Sequence, residues 1–174
     1  MPLLIHTTAL VFAIVAGSID WRYRRIPNIL TIPMLALGIA LNAFFAGWHG
    51  ALFSLEGAGL AMGILLPTVL VRGLGAGDWK LLGAIGALVG PMTIVVILTL
   101  ALIIGGLMAV YAMIRERRVV STFKNLRAIV KGLLIFGLRP NPEVSLDNPK
   151  LLKIPFGVAT AIACVLVLSF GRQF

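Results

Sequence analysis

Cysteine and charge are both scarce in this sequence. Cys164 is the single cysteine, and only 12% of the 174 residues are charged. One cysteine cannot form a disulfide or a cysteine-based metal cluster within the chain, which excludes a disulfide scaffold. Average soluble domains are about 45–50% apolar, whereas this chain is 60% hydrophobic with a mean hydropathy of +1.05. A soluble globule of this size could not bury so much apolar surface, so the composition predicts a polytopic membrane protein.

The apolar segments predict an all-α fold with six transmembrane helices, in a single membrane-embedded domain that covers residues 1–174. The Gly90-Pro91 pair divides the longest apolar stretch, because proline breaks the helical hydrogen-bond ladder and disfavours helix in the residue before it. The predicted spans are residues 3–19, 29–46, 55–71, 79–90, 91–114 and 154–170.

The fourth predicted helix is short. Its twelve residues would extend about 18 Å, whereas the hydrocarbon core of a bilayer is about 30 Å thick. If Gly90-Pro91 lies at the outer boundary, the helix begins about 10 Å below the cytoplasmic boundary. Irregular backbone at that depth is tolerated only where protein or water surrounds it.

The basic residues indicate the orientation of the chain. There are 15 Lys and Arg against 6 Asp and Glu, and six spans place 14 of the 15 basic residues on one side. Five spans would put the nine basic residues of the connection at about 115–153 on the opposite side from the others. The positive-inside rule therefore favours six helices with both termini outside. We interpret the net charge of +9 as a topology signal and expect no nucleic-acid partner.

The long basic connection has a helical pattern of its own. Apolar residues recur at helical spacing from Val119 to Leu133, with Lys124 and Lys131 on another side. The pattern predicts a cytoplasmic amphipathic helix between helices five and six that contacts membrane lipids. A solvated basic loop attracted to anionic lipid is the alternative.

Two of the six acidic residues stand apart. The other four lie in the basic connection or near the outer end of the third span. Asp20 ends the first apolar run and Asp78 lies at the start of the short fourth helix, so both fall on the cytoplasmic side. Ionisable groups at the membrane are costly and usually functional. The structural alternatives are an ion pair of Asp20 with Arg24 or Arg25, and Asp78 as the N-cap of its helix.

Three motifs carry a resemblance to a known family. Gly75, Gly77, Asp78 and Lys80 resemble the G-x-G-D-x-K motif of type IV prepilin peptidases, which are intramembrane aspartyl proteases. Asp20 followed by Ile26-Pro27-Asn28 resembles the family's D-x₅-I-P-N pattern. Ile154-Pro155-Phe156-Gly157 is similar to a further family segment. The matches occur in the family's order and span nearly the whole chain.

The resemblance implies a membrane aspartyl endopeptidase of the bacterial inner membrane. It would cleave the basic leader peptide from type IV prepilins or pseudopilins at the cytoplasmic face, with the pilus assembly machinery as a further partner. Asp20 and Asp78 would activate water, and no metal or cofactor is expected. Two carboxylates in one site do not both ionise cheaply, so one can remain ionised as the base while the other stays protonated as the acid. Helix dipoles favour Asp78 as the base and Asp20 as the neutral acid, although the nearby arginines oppose this.

The remaining motif residues are expected to shape the site and bind substrate, namely Gly75, Gly77, Pro27, Asn28, Pro155 and Gly157. Lys80 either stabilises charge in the site or extends to the interface. We interpret Trp21, Trp48 and Trp79 as interfacial anchors.

The chain resembles the small, peptidase-only form of the family that serves tight-adherence (Flp-type) pili. Bifunctional members carry an extra cytoplasmic segment, often with a four-cysteine zinc site, which one cysteine cannot form. No N-methyltransferase activity is therefore expected. The alternative function is a small proton-coupled transporter, or a membrane subunit of a secretion system, that uses the two aspartates as a relay.

Overall fold

A computed structural model of the protein describes residues 2–117 and 155–170, and within these ranges the chain forms helices and no strand. The elements are α1 (Leu3–Tyr23), α2 (Asn28–Leu70), α3 (Ala76–Val89), α4 (Pro91–Arg115) and α5 (Phe156–Phe170). The prediction of an all-α fold is confirmed for this part of the chain. By length and composition, α1, α2 and α4 could each cross a membrane. The predicted amphipathic helix, and most of the basic connection at about 115–153, lie outside the described residues.

The element α2 covers the second and third predicted spans. It is interrupted at Ala46 and Gly47, where the second predicted span ends, but helix resumes at Trp48 instead of the predicted Leu55. Ser54 Oγ lies 3.2 Å from the carbonyl oxygen of Gly38, sixteen residues earlier, whereas a straight helix would separate them by about 24 Å. The chain therefore reverses at Ala46–Gly47. Gly47 permits this because its φ is +58°, a value that residues with a Cβ rarely adopt.

The short helix α3 lies among the other helices and contacts each of the other four described elements. All of its residues from Leu81 to Val89 are buried, as expected for a helix that is apolar on every side. It begins at Ala76, before the predicted start at Trp79, and ends at Val89. Gly90 then has a φ of +80° and Pro91 begins α4. The predicted division of the apolar stretch at Gly90-Pro91 is confirmed.

Two polar side chains of α2 donate hydrogen bonds to carbonyl groups at the C-terminal end of α3. The last four carbonyls of a helix have no partner within it, and an apolar surrounding makes each unsatisfied group costly. Asn42 Nδ2 donates to the carbonyl oxygens of Ala87 at 3.0 Å and Leu88 at 3.2 Å, and Ser54 Oγ donates to Ala87 at 2.7 Å. Asn42 and Ser54 precede and follow the reversal in α2, so both halves of α2 are attached to this end of α3.

The helix α5 packs between α1 and α4 through small residues. A Cβ added at Gly17 of α1 would lie 2.7 Å from the Cβ of Ala161, and one added at Gly105 of α4 would lie 3.2 Å from the ring of Phe156. Helices that meet at small residues approach closely. This packing brings the first turn of α5 to the end of α1.

Candidate active site

Asp20 lies in the last turn of α1, which continues to Tyr23 instead of ending at Ile19 as predicted. Its side chain is only 6% exposed. The backbone N–H of Gly157 donates to Asp20 Oδ2 over 2.8 Å. A Cβ at position 157 would lie 2.9 Å from both Oδ2 and Cβ of Asp20, so glycine is what lets the start of α5 approach the carboxylate this closely.

Asp78 lies in the first turn of α3. The N-cap of this helix is Gly75, so the alternative in which Asp78 itself is the N-cap does not hold. Asp78 instead accepts a hydrogen bond from the backbone N–H of Gly75, as the third residue of a helix does in a capping box. A Cβ at Gly75 would lie 3.0 Å from Asp78 Oδ2. The first turn of α3 therefore holds the Asp78 carboxylate against its own N-terminus.

The two aspartates come together although 57 residues separate them in the chain. Their carboxyl groups lie close enough to interact electrostatically. Ile26 connects their surroundings: its carbonyl oxygen would be 3.0 Å from a Cβ on Gly77, and its Cδ1 would be 3.0 Å from a Cβ on Gly157. The isoleucine is 8% exposed. The three motifs of the sequence therefore meet at one buried residue.

A second contact joins the motifs. Lys80 Nζ donates to Asn28 Oδ1 over 2.9 Å, and this is the contact that the structure gives for a lysine whose role the sequence left open. The carbonyl oxygens of Pro27 and Pro155 accept backbone hydrogen bonds from the first turns of α2 and α5. Both prolines therefore lie where a helix that bounds the site begins.

The electrostatic surroundings of the two aspartates are similar. The N-terminus of α5 faces Asp20, and Asp78 lies at the N-terminus of α3; the free N–H groups and the dipole at such ends stabilise a negative charge. Arg24 is also within electrostatic range of Asp20. The helix-dipole argument that favoured Asp20 as the neutral acid therefore no longer separates the two residues.

The described residues offer no evident metal site. Within residues 2–117 and 155–170, no group of three or more His, Cys, Asp or Glu side chains could hold a metal ion. The chemistry available at this site is that of two carboxyl groups within electrostatic range of each other, each of which accepts a hydrogen bond from a backbone amide.

Sequence reasoning missed several polar contacts that hold the helices around the site. Asn42 and Ser54 at the far end of α3 are two of these. A third is Trp79, interpreted above as an interfacial anchor, whose indole Nε1–H donates to the carbonyl oxygen of Met62 over 2.8 Å. An asparagine within an apolar run is a signal that could have found the first, because polar groups in a membrane need partners. No local feature of the sequence indicates that Trp79 donates to the Met62 carbonyl oxygen.

The model of the type IV leader peptidase family matches residues 7–110, which is more than half of the chain. The chain belongs to this family. The matched region contains Asp20 and Asp78 but not Pro155 or Gly157.

A curated relative supports the assignment to the type IV leader peptidase family. The prepilin leader peptidase/N-methyltransferase of Escherichia coli (strain K12) is 34% identical over 117 residues, which is 64% of this chain and 52% of the relative. The chain thus spans about half the length of this curated relative. No solved structure matches the chain.

Proposed function

We propose that the protein is a membrane aspartyl endopeptidase that removes the basic leader peptide from type IV prepilins or pseudopilins. The observation that carries the proposal is the packing of the Asp20 and Asp78 motifs against each other at Ile26, which brings the two carboxyl groups within electrostatic range. Membership of the type IV leader peptidase family and the name of the E. coli relative support the choice of substrate. The proposal covers the peptidase activity alone.

The pair would act as one unit that shares a proton, because two adjacent carboxylates do not both ionise cheaply. The ionised carboxylate accepts a proton from water while the water oxygen attacks the scissile carbonyl carbon. The protonated carboxyl group donates a hydrogen bond to the carbonyl oxygen, and a proton is then transferred to the leaving nitrogen as the C–N bond breaks. The products are a free carboxyl group on the leader and a new amino terminus on the pilin.

The surrounding motif residues would maintain the geometry of this pair. Gly77 and Gly157 allow α3 and α5 to pack against Ile26, and Gly75 leaves space beside the Asp78 carboxylate. The Lys80–Asn28 hydrogen bond connects α3 to the start of α2. Rigid placement matters because catalysis depends on the distance between the reacting groups.

The proposed topology has six spans in the bacterial inner membrane, with both termini outside and the aspartates at the cytoplasmic face. The reversal at Ala46–Gly47 is consistent with two spans within α2, and α3 would be the short span. Its 14 residues extend about 21 Å, less than the core of about 30 Å. The hydrogen bonds from Asn42 and Ser54 would satisfy the carbonyl end of α3 inside the membrane.

Co-expression with candidate prepilins tests the proposal, with leader removal measured as a gel shift. We expect cleavage by the wild type and none by Asp20→Asn or Asp78→Asn, because each variant removes one carboxyl group of the pair. Glu56→Gln is the matched control, since it neutralises an exposed acid on α2 away from both motifs. Full cleavage by both Asn variants would contradict the aspartyl mechanism.

A proton relay makes a different prediction. Asp→Glu variants would retain partial function in a water-bridged relay, whereas a dyad in near contact loses its geometry when one side chain is lengthened. Cleavage by the wild type that survives both Asn variants, together with a measurable proton flux, would favour the relay over the peptidase.

A further inference from the structure

An apolar groove runs between α1 and α5 on the part of the protein that the structure describes. It has a volume of about 500 Å³, and its walls include Ile14, Ser18 and Trp21 of α1 and Val158, Ile162 and Leu166 of α5. Ser18 and Ile162 are exposed. The hydroxyl of Ser18 donates to the carbonyl oxygen of Ile14 in its own helix, so it presents no unsatisfied polar group to an apolar ligand.

Two small residues line the groove where α1 and α5 meet. These are Gly17 and Ala161, and a Cβ added at Gly17 would lie 2.7 Å from the Cβ of Ala161. Larger apolar residues, among them Ile14 and Leu166, also line the groove. Small residues flanked by large ones are the surface on which another apolar helix packs closely within a membrane.

The groove is continuous with the candidate active site. A Cβ added at Gly17 would lie 3.3 Å from the carbonyl oxygen of Gly157, and the N–H of the same Gly157 binds Asp20. Trp21 and Val158 in the groove are the chain neighbours of Asp20 and Gly157. One end of the groove is therefore built by the same turns of α1 and α5 that hold the Asp20 carboxylate.

We propose that this groove binds the apolar helix that follows the cleavage site in the substrate. The inference rests on the proposed function, in which a basic leader directly precedes such a helix. A helix packed between α1 and α5, with its cytoplasmic end beside Trp21 and Val158, brings the peptide bond before it to Asp20 and Asp78. Continuity with the aspartate pair is what selects a substrate helix over a lipid chain as the occupant.

A second groove offers a matched control. It lies between α1 and the first half of α2, has a volume of about 310 Å³, and is lined by residues that include Val11, Val15 and Met34. None of its lining residues is a chain neighbour of Asp20 or Gly157. Val11 is exposed, like Ser18. The same substitution is therefore made at Ser18, in the first groove, and at Val11, in the second. An effect seen only at Ser18 reports substrate binding in the first groove, whereas an effect seen at both reports a general disturbance of α1.

Disulfide crosslinking tests where the substrate helix lies. In a Cys164→Ala background, Ser18→Cys, Ile162→Cys or Val11→Cys is combined with Asp78→Asn to prevent turnover. Each variant is co-expressed with a prepilin that carries one cysteine in the first turns of its apolar helix, and the membranes are oxidised. We expect crosslinked product from Ser18→Cys and Ile162→Cys, and at least tenfold less from Val11→Cys. Equal crosslinking from all three, or none from the two groove positions, would overturn the inference.

Kinetics provide a second measurement. Ser18→Trp fills the groove and is expected to raise KM for the full prepilin about tenfold, the effect of losing roughly one buried apolar side chain. Ser18→Trp should raise KM much less for a short peptide that spans the leader junction but lacks the apolar helix, and Val11→Trp should leave the cleavage of both substrates unchanged. An unchanged KM for the full prepilin with Ser18→Trp would overturn the inference.

The two proposals fail differently. If the wild type cleaves the prepilin but the groove variants show neither crosslinking nor a change in KM, only the docking site is wrong. If the wild type does not cleave any type IV prepilin, the proposed function is wrong and the docking site with it.

Discussion

The backbone N–H of Gly157, at the start of α5, donates a hydrogen bond to Oδ2 of Asp20, in the last turn of α1, over 2.8 Å. This contact joins residues that are 137 positions apart in the chain. It gives the buried carboxylate a donor and places a helix N-terminus against it, an arrangement that stabilises negative charge. Gly157 therefore supports Asp20, in addition to the site-shaping and substrate-binding role that the sequence predicts for it.

Gly157→Ala should reduce cleavage by about 10²-fold, the loss that a displacement of about 1 Å in a reacting group can cause. The new methyl group would lie 2.9 Å from Asp20 Oδ2 and 3.0 Å from Ile26 Cδ1, so either α5 or the aspartate must move. The rate of leader removal in isolated membranes measures the effect. Gly106→Ala is the control because nothing lies within 4 Å of a Cβ there. Equal activity of the two variants would contradict the assigned role.

Gly77→Ala should also lower activity, by about tenfold or more if α3 shifts relative to Asp20. Alanine is favoured over glycine inside a helix by about 1 kcal/mol, so the substitution would help α3 in isolation. The added methyl would however lie 3.0 Å from the carbonyl oxygen of Ile26, which is backbone and cannot rotate away. Gly59→Ala, with open space at its Cβ, should be active. A fully active Gly77→Ala enzyme would show that the close packing on Ile26 is dispensable.

Lys80 and Asn28 should be energetically coupled. The hydrogen bond between them is 2.9 Å long and exposed, so we expect its loss to lower kcat/KM by about fivefold or less, which corresponds to about 1 kcal/mol. Lys80→Met and Asn28→Ala should each cause this loss, and the double variant should lose no more than either one. Kinetic constants for all four proteins complete the cycle. Strictly additive effects would mean that the two residues act independently.

Asn42→Ala should destabilise the fold more than it affects chemistry. The amide donates to the buried carbonyl oxygens of Ala87 and Leu88. Ser54 still donates to Ala87 in the variant, so Leu88 is the group that loses its donor, and leaving a buried group unsatisfied costs about 1–3 kcal/mol. Thermal unfolding in detergent micelles should show a lower Tm. Ser54→Ala should lower it less, because Asn42 still donates to Ala87.

Thr99→Ala is the control for this measurement, since its hydroxyl is exposed and donates only within its own helix, to Val95. A Tm for Asn42→Ala equal to that of Thr99→Ala would contradict a role for Asn42 in closing the end of α3.

Local features of the sequence predicted much of this protein. The apolar runs predicted helices, and the division at Gly90-Pro91 was correct because proline and glycine act on their own stretch of backbone. The second predicted span ends where α2 is interrupted, at Ala46–Gly47, but helix resumes at Trp48 rather than at the predicted Leu55. Gly47, His49 and Gly50 interrupt the apolar run there, so the local pattern did not show that helix resumes at Trp48.

By itself, the sequence determined the membrane class, the helical content, and the two acidic residues that stand apart from the rest. Only the tertiary structure decided that the three motifs meet at Ile26, that Gly157 binds Asp20, and that Lys80 binds Asn28. It also decided that the apolar groove between α1 and α5 ends beside Asp20. The reason is physical: hydrophobic periodicity records which residues are apolar along one helix, whereas these contacts depend on which small residues let separate helices approach.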